Sequence, residues 1–226
     1  MRLATRAELI ETVARHVPDP VVYYIHKKNE QREITCFSAR DKALHRRISD
    51  LLWADFHAEI NEHCYAYVRG RSVWDAVVRA VQQTAFFDGF IKTDIRKFFP
   101  SIDASLLADQ LSRKYPLSFV EKTLSLVFLS NRGLATGSPL SPILSNIYMI
   151  GFDRRIDAEF RYFRYSDDIL ILCPKQDINR IYDKLISELR RVKLTLNALK
   201  TQTGNVEEGI KFLGFYVTKK GPVVLP

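Results

Sequence analysis

The sequence predicts an α+β fold, an antiparallel sheet with helices packed on one face. Three observations carry that expectation. Past residue 89 the chain reads strand, helices, strand, strand, helix, strand, an order that builds one sheet and leaves helices to cover it. The strand-like runs are short and apolar, and two of them, Arg161–Tyr165 and Ile169–Cys173, flank a tight Ser-Asp-Asp turn. Finally, 226 residues of which 46% are hydrophobic suffice for a sizeable core, in one large domain or two small ones.

Each element has its own signal. Residues 5–16 have the spacing of a short amphipathic helix that Pro18 and Pro20 end. Val21–Ile25 and Glu33–Phe37 read as strands joined by the polar stretch 26–32, a basic hairpin. Leu44, Ile48, Leu51, Leu52, Phe56 and Ile60 recur on one helical face. Ser72–Thr84 is a second helix after a turn at Gly70. Phe90–Asp94 is a strand, and Asp103–Arg113 and Ser118–Leu129 are helices. A Gly/Pro/Ser-rich loop over 131–142 runs into a helix at 141–159. Gln176–Val192 is a further helix and Ile210–Val217 a strand.

Charge and rare residues narrow the function. Lys and Arg number 34 against 26 Asp and Glu, an excess that suits a polyanionic partner. Cys36, Cys64 and Cys173 are far apart with no CxxC pair, which argues against a disulfide scaffold or zinc knuckle and for reduced, mostly buried thiols. The histidines show no HExxH spacing, and His57 and His63 read as structural. The amino terminus has no apolar core of a signal peptide, and no apolar run approaches the ~18–20 residues that span a bilayer. The expected location is the cytoplasm, with no membrane partner.

The chemistry lies in two acidic sites. Asp94 ends the apolar run Phe90-Ile91-Lys92-Thr93-Asp94, and Asp167 and Asp168 sit between two apolar strands. Adjacent acids there are costly unless their charge is compensated. A divalent metal does so. Two Mg²⁺ ions about 3.5–4 Å apart can activate a hydroxyl and neutralise a leaving pyrophosphate. Mg²⁺ asks only one or two carboxylates of the protein, the rest coming from substrate phosphates.

Tyr165-Ser166-Asp167-Asp168 resembles the YxDD motif of reverse transcriptases. Asp94-Ile95-Arg96-Lys97-Phe98-Phe99-Pro100-Ser101-Ile102-Asp103 resembles the first catalytic motif of their bacterial non-LTR-type members. The run from Gly137-Ser138-Pro139-Leu140-Ser141-Pro142 to Tyr148 is similar to the following loop-helix, and Leu194–Thr201 to the next motif of the palm. Phe212-Leu213-Gly214-Phe215 resembles the primer-grip hairpin; Arg32–Asp41 and Val68–Ser72 resemble fingers motifs. The matches keep the family's order over roughly residues 25–217.

The resemblance implies a right-hand polymerase, with fingers over 1–89, a palm over 90–226 and some fingers elements around 104–135. It implies Asp94 and Asp167 as metal ligands, Asp168 in support, and the Ile95 carbonyl beside the nucleotide-side metal. Mg²⁺ is the expected ion and Mn²⁺ its substitute. Phe99 would be the steric gate that excludes a ribose 2′-hydroxyl. Lys27, Lys28 and Arg32 would hold the incoming triphosphate, with Thr136 and Gly137 beside the nascent pair and Lys200 near the pyrophosphate. Phe98 is the neighbour expected in the core. Arg69 and Arg71 would touch template backbone, and Phe212, Leu213 and Gly214 the primer.

The implied partners are an RNA or DNA template, a DNA or RNA primer and dNTPs, in a prokaryotic cell. Many relatives carry Gln where this chain has Thr136, which puts ordinary fidelity in question. The nine residues after Val217 are too few for a helical thumb, so a partner subunit or fused domain is expected to supply one. Group II intron and CRISPR-associated enzymes share the Phe-Leu-Gly-Phe style of ending. Diversity-generating enzymes also lack the Gln but carry Ser-Gln where this chain has Ser141-Pro142. The VTG signature of retron enzymes is not visible, and abortive-infection enzymes stay open. Two other readings stay open: an untemplated or protein-primed DNA polymerase of a phage-defence system, and a non-catalytic, maturase-like RNA-binding module.

Overall fold

A computed structural model describes residues 5–27, 30–129 and 133–224, with backbone alone at 26–27 and 30–32. Helix α1 (Arg6–Arg15) precedes β1 (Val21–Lys27), β2 (Glu30–Cys36), α2 (Ala39–Phe56) and α3 (Val73–Gln83). Strand β3 (Gly89–Asp94) leads into α4 (Phe98–Ser101), α5 (Ala104–Leu111), α6 (Leu117–Ser125) and α7 (Ser141–Asp157). Then come β4 (Arg161–Tyr165), β5 (Asp168–Cys173), α8 (Ile178–Arg191) and β6 (Gln202–Asn205). The last strands are β7 (Ile210–Phe212), β8 (Phe215–Thr218) and β9 (Gly221–Val224). Contacts divide the chain into two interleaved units, Met1–Glu59 with Phe99–Tyr148 and Ile60–Phe98 with Met149–Pro226.

In the first unit, α1 and α2 start on capping boxes, Thr5 with Glu8 and Ser38 with Asp41. Each box satisfies amide groups that a helix start leaves open. Leu44, Ile48, Leu52 and Phe56 are buried along α2, the stripe that the helical spacing predicts. Burying each such side chain stabilises by roughly 1.5–3 kcal/mol. Phe56 stacks near Tyr115, whose hydroxyl donates to Asp55 at 2.5 Å. Strands β1 and β2 form an antiparallel pair from Val21↔Cys36 to Lys27↔Glu30. The Thr35 amide donates to the Thr136 carbonyl at 2.8 Å, fastening the loop before α7 to β2. Gly137 lies in that loop at φ +111°, and a Cβ on it would stand 2.3 Å from the Thr35 carbonyl oxygen.

The second unit holds a four-stranded antiparallel sheet, ordered β4-β5-β3-β6, and a three-stranded one, β7-β8-β9. Its core joins Ala76, Val77 and Ala80 of α3 to Phe90, Phe163, Leu170 and Phe212 of the strands. Helix α8 turns Ile181, Leu185 and Leu189 inward and packs on β3. His63 Nδ1 donates to the Asp157 carboxylate at 2.8 Å and packs edge-on to Phe163, a structural role. Cys64 and Cys173 are buried, and burial pushes both thiols up to about 11; Cys36 is exposed, and none is in a disulfide.

Residues 60–89 pack in the second unit. The apolar face of α3 explains this, because its partners are β4, β8 and β9. The run over 210–217, read by periodicity as one strand and by resemblance as a hairpin at Phe212–Phe215, is a hairpin turned by Leu213 and Gly214, both at positive φ. Gly221 and Pro222 open β9 at the sheet edge, where proline's missing donor is tolerated. No helix among the described residues is long and apolar enough to cross a membrane.

Candidate active site

Sheet register brings the predicted acids together. The β3–β5 ladder sets Asp94 directly opposite Asp168. The β4–β5 hairpin closes through Ser166 and Asp167, with Tyr165 paired to Asp168 and Ser166 at φ 58°. The Ile95 amide donates to the Asp167 carbonyl at 3.0 Å, tying the turn to the end of β3. On its other edge this segment bridges Leu196: Asn197 N–H donates to the Asp94 carbonyl at 2.9 Å, and Arg96 N–H to the Thr195 carbonyl at 2.8 Å. Ile95 therefore directs its own N–H and C=O to the side of the turn.

The electrostatics are those of a site short of positive charge. Asp94 is buried; Asp167 and Asp168 are half-buried. Lys200 Nζ donates to Asp94 Oδ2 at 2.5 Å, while Asp94 Oδ1 is buried with no hydrogen-bond partner among the described residues. Burial, and then the Asp94 charge, raise the Asp167 carboxyl above the usual range. Burial raises Asp168 too, helped by the charges of Asp167 and Asp94 and opposed by Lys92. Lys92 Nζ lies 3.5 Å from Asp168 Oδ1. The bond to Asp94, chiefly, raises the Lys200 ammonium.

These residues fit a divalent ion in one specific sense. An orphaned, buried carboxylate oxygen costs free energy unless a cation or donor meets it. No trio of His, Cys, Asp or Glu among the described residues encloses an ion by itself.

The other predicted residues are placed as follows. Phe98 is buried, and Phe99, next in α4, is half-exposed. The Phe99 carbonyl accepts from Leu134 N–H at 2.9 Å, which fixes the start of the loop that carries Thr136 and Gly137. Both of those residues are exposed. Lys28 and the side chains of Lys27 and Arg32 lie outside the described residues. Arg69 is exposed, but Arg71 is half-buried, with Nη1 donating to the Asn61 and Cys64 carbonyls at 2.7 and 2.6 Å. Arg71 Nη1 thus ties down the loop at Asn61–Cys64. Phe212 is a core residue, while Leu213 is half-buried and Gly214 exposed.

Sequence reasoning passed over Lys92 and Arg164. Lys92 stands two residues before Asp94, on the same face of a period-2 strand, which was the available signal. Arg164 is a charge inside an apolar strand, and a fully buried one.

The arrangement defines a class of protein, nucleotidyl-transferring polymerases with acidic strand ends. The reverse transcriptase (RNA-dependent DNA polymerase) family matches residues 25–217. The chain belongs to that family. It is 31% identical over 173 residues to the retron Ec83 reverse transcriptase of Escherichia coli, covering 70% of this chain and 54% of that protein. It is 25% identical over 125 residues to the retron Ec73 reverse transcriptase of the same species, covering 47% and 39%. The chain thus spans about half the length of the first of these relatives. Among solved structures, apo telomerase from Candida tropicalis truncated from its C-terminal domain superposes with a TM-score of 0.66 at 14% identity, over 96% of this chain and 58% of that one. Telomerase from Candida albicans, solved with a fragment of telomeric RNA, gives 0.62 at 15%, over 92% and 46%. The fold is the α+β fingers and palm of this polymerase class.

Proposed function

We propose that the chain carries out RNA-templated DNA synthesis, transferring a dNMP from a dNTP to a primer 3′-hydroxyl. The observation that carries this reading is the partnerless, buried Oδ1 of Asp94 at the sheet end where the Asp167–Asp168 turn arrives. Asp94 and Asp167 would hold two divalent ions, Mg²⁺ or in its place Mn²⁺, with the Ile95 carbonyl as a neutral ligand. When bound, the ions lower the pKa of the attacking hydroxyl and neutralise the leaving pyrophosphate. Asp168, held by Lys92, adds negative charge beside them without needing to ligate. Lys200 would sit near the pyrophosphate and donate a proton to it.

Phe99 would exclude a 2′-hydroxyl, with Thr136 and Gly137 under the nascent pair. Lys27, Lys28 and Arg32 would hold the triphosphate. Arg69 and the Leu213-Gly214 turn would meet template and primer. The unit with the carboxylates would act as palm and the other as fingers, with a thumb supplied by a partner subunit or further domain. The site of action would be the cytoplasm.

The test is primer extension on RNA and DNA templates of defined sequence, with dNTPs or NTPs, beside Asp94→Asn. Complementary DNA made from RNA, and lost in the variant, is the expected result. A product indifferent to the template would replace this reading with untemplated synthesis. Equal synthesis by Asp94→Asn would overturn the site.

A further inference from the structure

A bidentate ion pair sits in the core behind the YxDD turn. Arg164 is 0% and Asp153 1% exposed. Arg164 Nε donates to Asp153 Oδ1 at 2.9 Å and Nη2 to Oδ2 at 2.6 Å. The Tyr162 hydroxyl donates to the same Oδ1 at 2.9 Å. The outer edge of β4 is fixed here as well, with the Arg164 amide on the His63 carbonyl and the Tyr65 amide on the Arg164 carbonyl, both at 2.9 Å. Such a pair is poorly explained by stability, because well-packed apolar residues in its place are often neutral or better.

A third contact of Arg164 supplies another explanation. Its Nη1 donates to the Ser166 carbonyl at 3.1 Å. Ser166 is in the left-handed region at φ 58°, a conformation that persists only where its surroundings fix it. The next carbonyl, that of Asp167, accepts from Ile95 N–H at 3.0 Å. Both carbonyls flanking the Asp167 side chain are therefore held, one by Arg164 and one by the end of β3. The guanidinium fork is the only side-chain type that can grip Asp153 with two nitrogens and still direct the third at the turn.

We propose that Arg164, oriented by Asp153, is a positioning residue that sets Asp167 against Asp94. This rests on the reading of those two aspartates as the metal-holding pair. The turn would lose its geometry, not its fold, if the guanidinium were replaced. Outer partners of metal ligands typically change affinity or activity by about 10–100-fold when removed.

The experiment compares the full chain with Arg164→Met/Asp153→Leu, which removes both buried charges together, and with Arg164→Lys, which keeps a charge but loses the fork. Melting temperature, steady-state primer extension and Mn²⁺ binding by electron paramagnetic resonance are measured on each. The double variant should melt near the wild type. Its kcat should fall about 10–100-fold with KM for dNTP nearly unchanged, and Mn²⁺ should bind about tenfold or more weakly. Arg164→Lys should show the same split to a smaller degree. A folded double variant or Arg164→Lys with wild-type kcat and Mn²⁺ affinity would overturn the proposal. Failure of both to fold would assign the pair to stability and overturn it as well. A wild-type chain that neither extends a primer nor binds Mn²⁺ would fail the activity reading itself, and this proposal with it.

Discussion

Gly137→Ala tests the tie between the loop before α7 and β2. The added Cβ would lie 2.3 Å from the Thr35 carbonyl oxygen, and the backbone is at φ +111°, a region almost closed to other residues. The conformational cost alone is about 1–3 kcal/mol. Relieving the overlap requires backbone to move, since the obstructing atom is a carbonyl and not a flexible side chain. Moving it breaks the bond from Thr35 N–H to the Thr136 carbonyl, worth a further 0.5–1.5 kcal/mol, roughly. The sum, about 1.5–4.5 kcal/mol, lowers Tm by roughly 3–18 °C in a chain of this length.

Gly70→Ala is the comparison. Gly70 is also at positive φ, +77°, but a Cβ there meets nothing within 4 Å. It should cost about 1–2 kcal/mol, the left-handed penalty without a clash. The local assay is hydrogen exchange in the peptide carrying Thr35, which should lose protection in Gly137→Ala and keep it in Gly70→Ala. Primer extension should fall in Gly137→Ala, because the displaced segment holds Thr136. Wild-type melting and wild-type protection at Thr35 would refute the reasoning.

How much of this was legible in the sequence depends on which force sets each element. The β3, β4 and β5 strands were readable as short, nearly continuously buried apolar runs, and the α2 stripe by its helical period. The convergence of Asp94 with Asp167 and Asp168 was readable as motif order, although only the register shows Asp94 opposite Asp168. Strand β6 was not readable: Gln202-Thr203-Gly204-Asn205 has no apolar alternation, and its backbone ladder to β3 decides its shape. The bonds from Arg71 Nη1 to the Asn61 and Cys64 carbonyls were not readable either, because no local pattern encodes them. The Arg164–Asp153 pair spans two elements, so neither residue signals the other in the chain.

The remaining tests address the site. Asp94→Ala or Asp167→Ala should cut primer extension by several orders of magnitude with the fold retained, as checked by circular dichroism; near-normal extension would remove the assignment. Phe99→Ala should raise rCTP over dCTP incorporation in single turnovers, and an unmoved ratio would place the gate elsewhere. Thr136→Gln should alter the misincorporation spectrum while leaving Tm within about 1 °C, as for an exposed substitution of small effect. Asp167→Asn should stabilise the metal-free protein, for a reason whose sign depends on pH. The folded state raises the Asp167 carboxyl above its usual 3.8, chiefly through burial. A raised carboxyl means that the folded chain holds the proton more tightly than the unfolded chain. The destabilisation is absent below the unfolded value, grows as pH climbs from there to the folded value, and is complete above it. In EDTA, Asp167→Asn should therefore melt higher than wild type at pH 7, and the gain should shrink as pH falls toward 3.8. Added Mn²⁺ should reverse the order, because a ligand at 100 times its Kd stabilises the folded wild type by about 2.7 kcal/mol and has lost a ligand in the variant. Melting curves in EDTA and in Mn²⁺ at pH 4 and pH 7 decide it: if Asp167→Asn melts below wild type in EDTA at pH 7, the charge at Asp167 is already compensated by the protein, and the case for a cation there collapses.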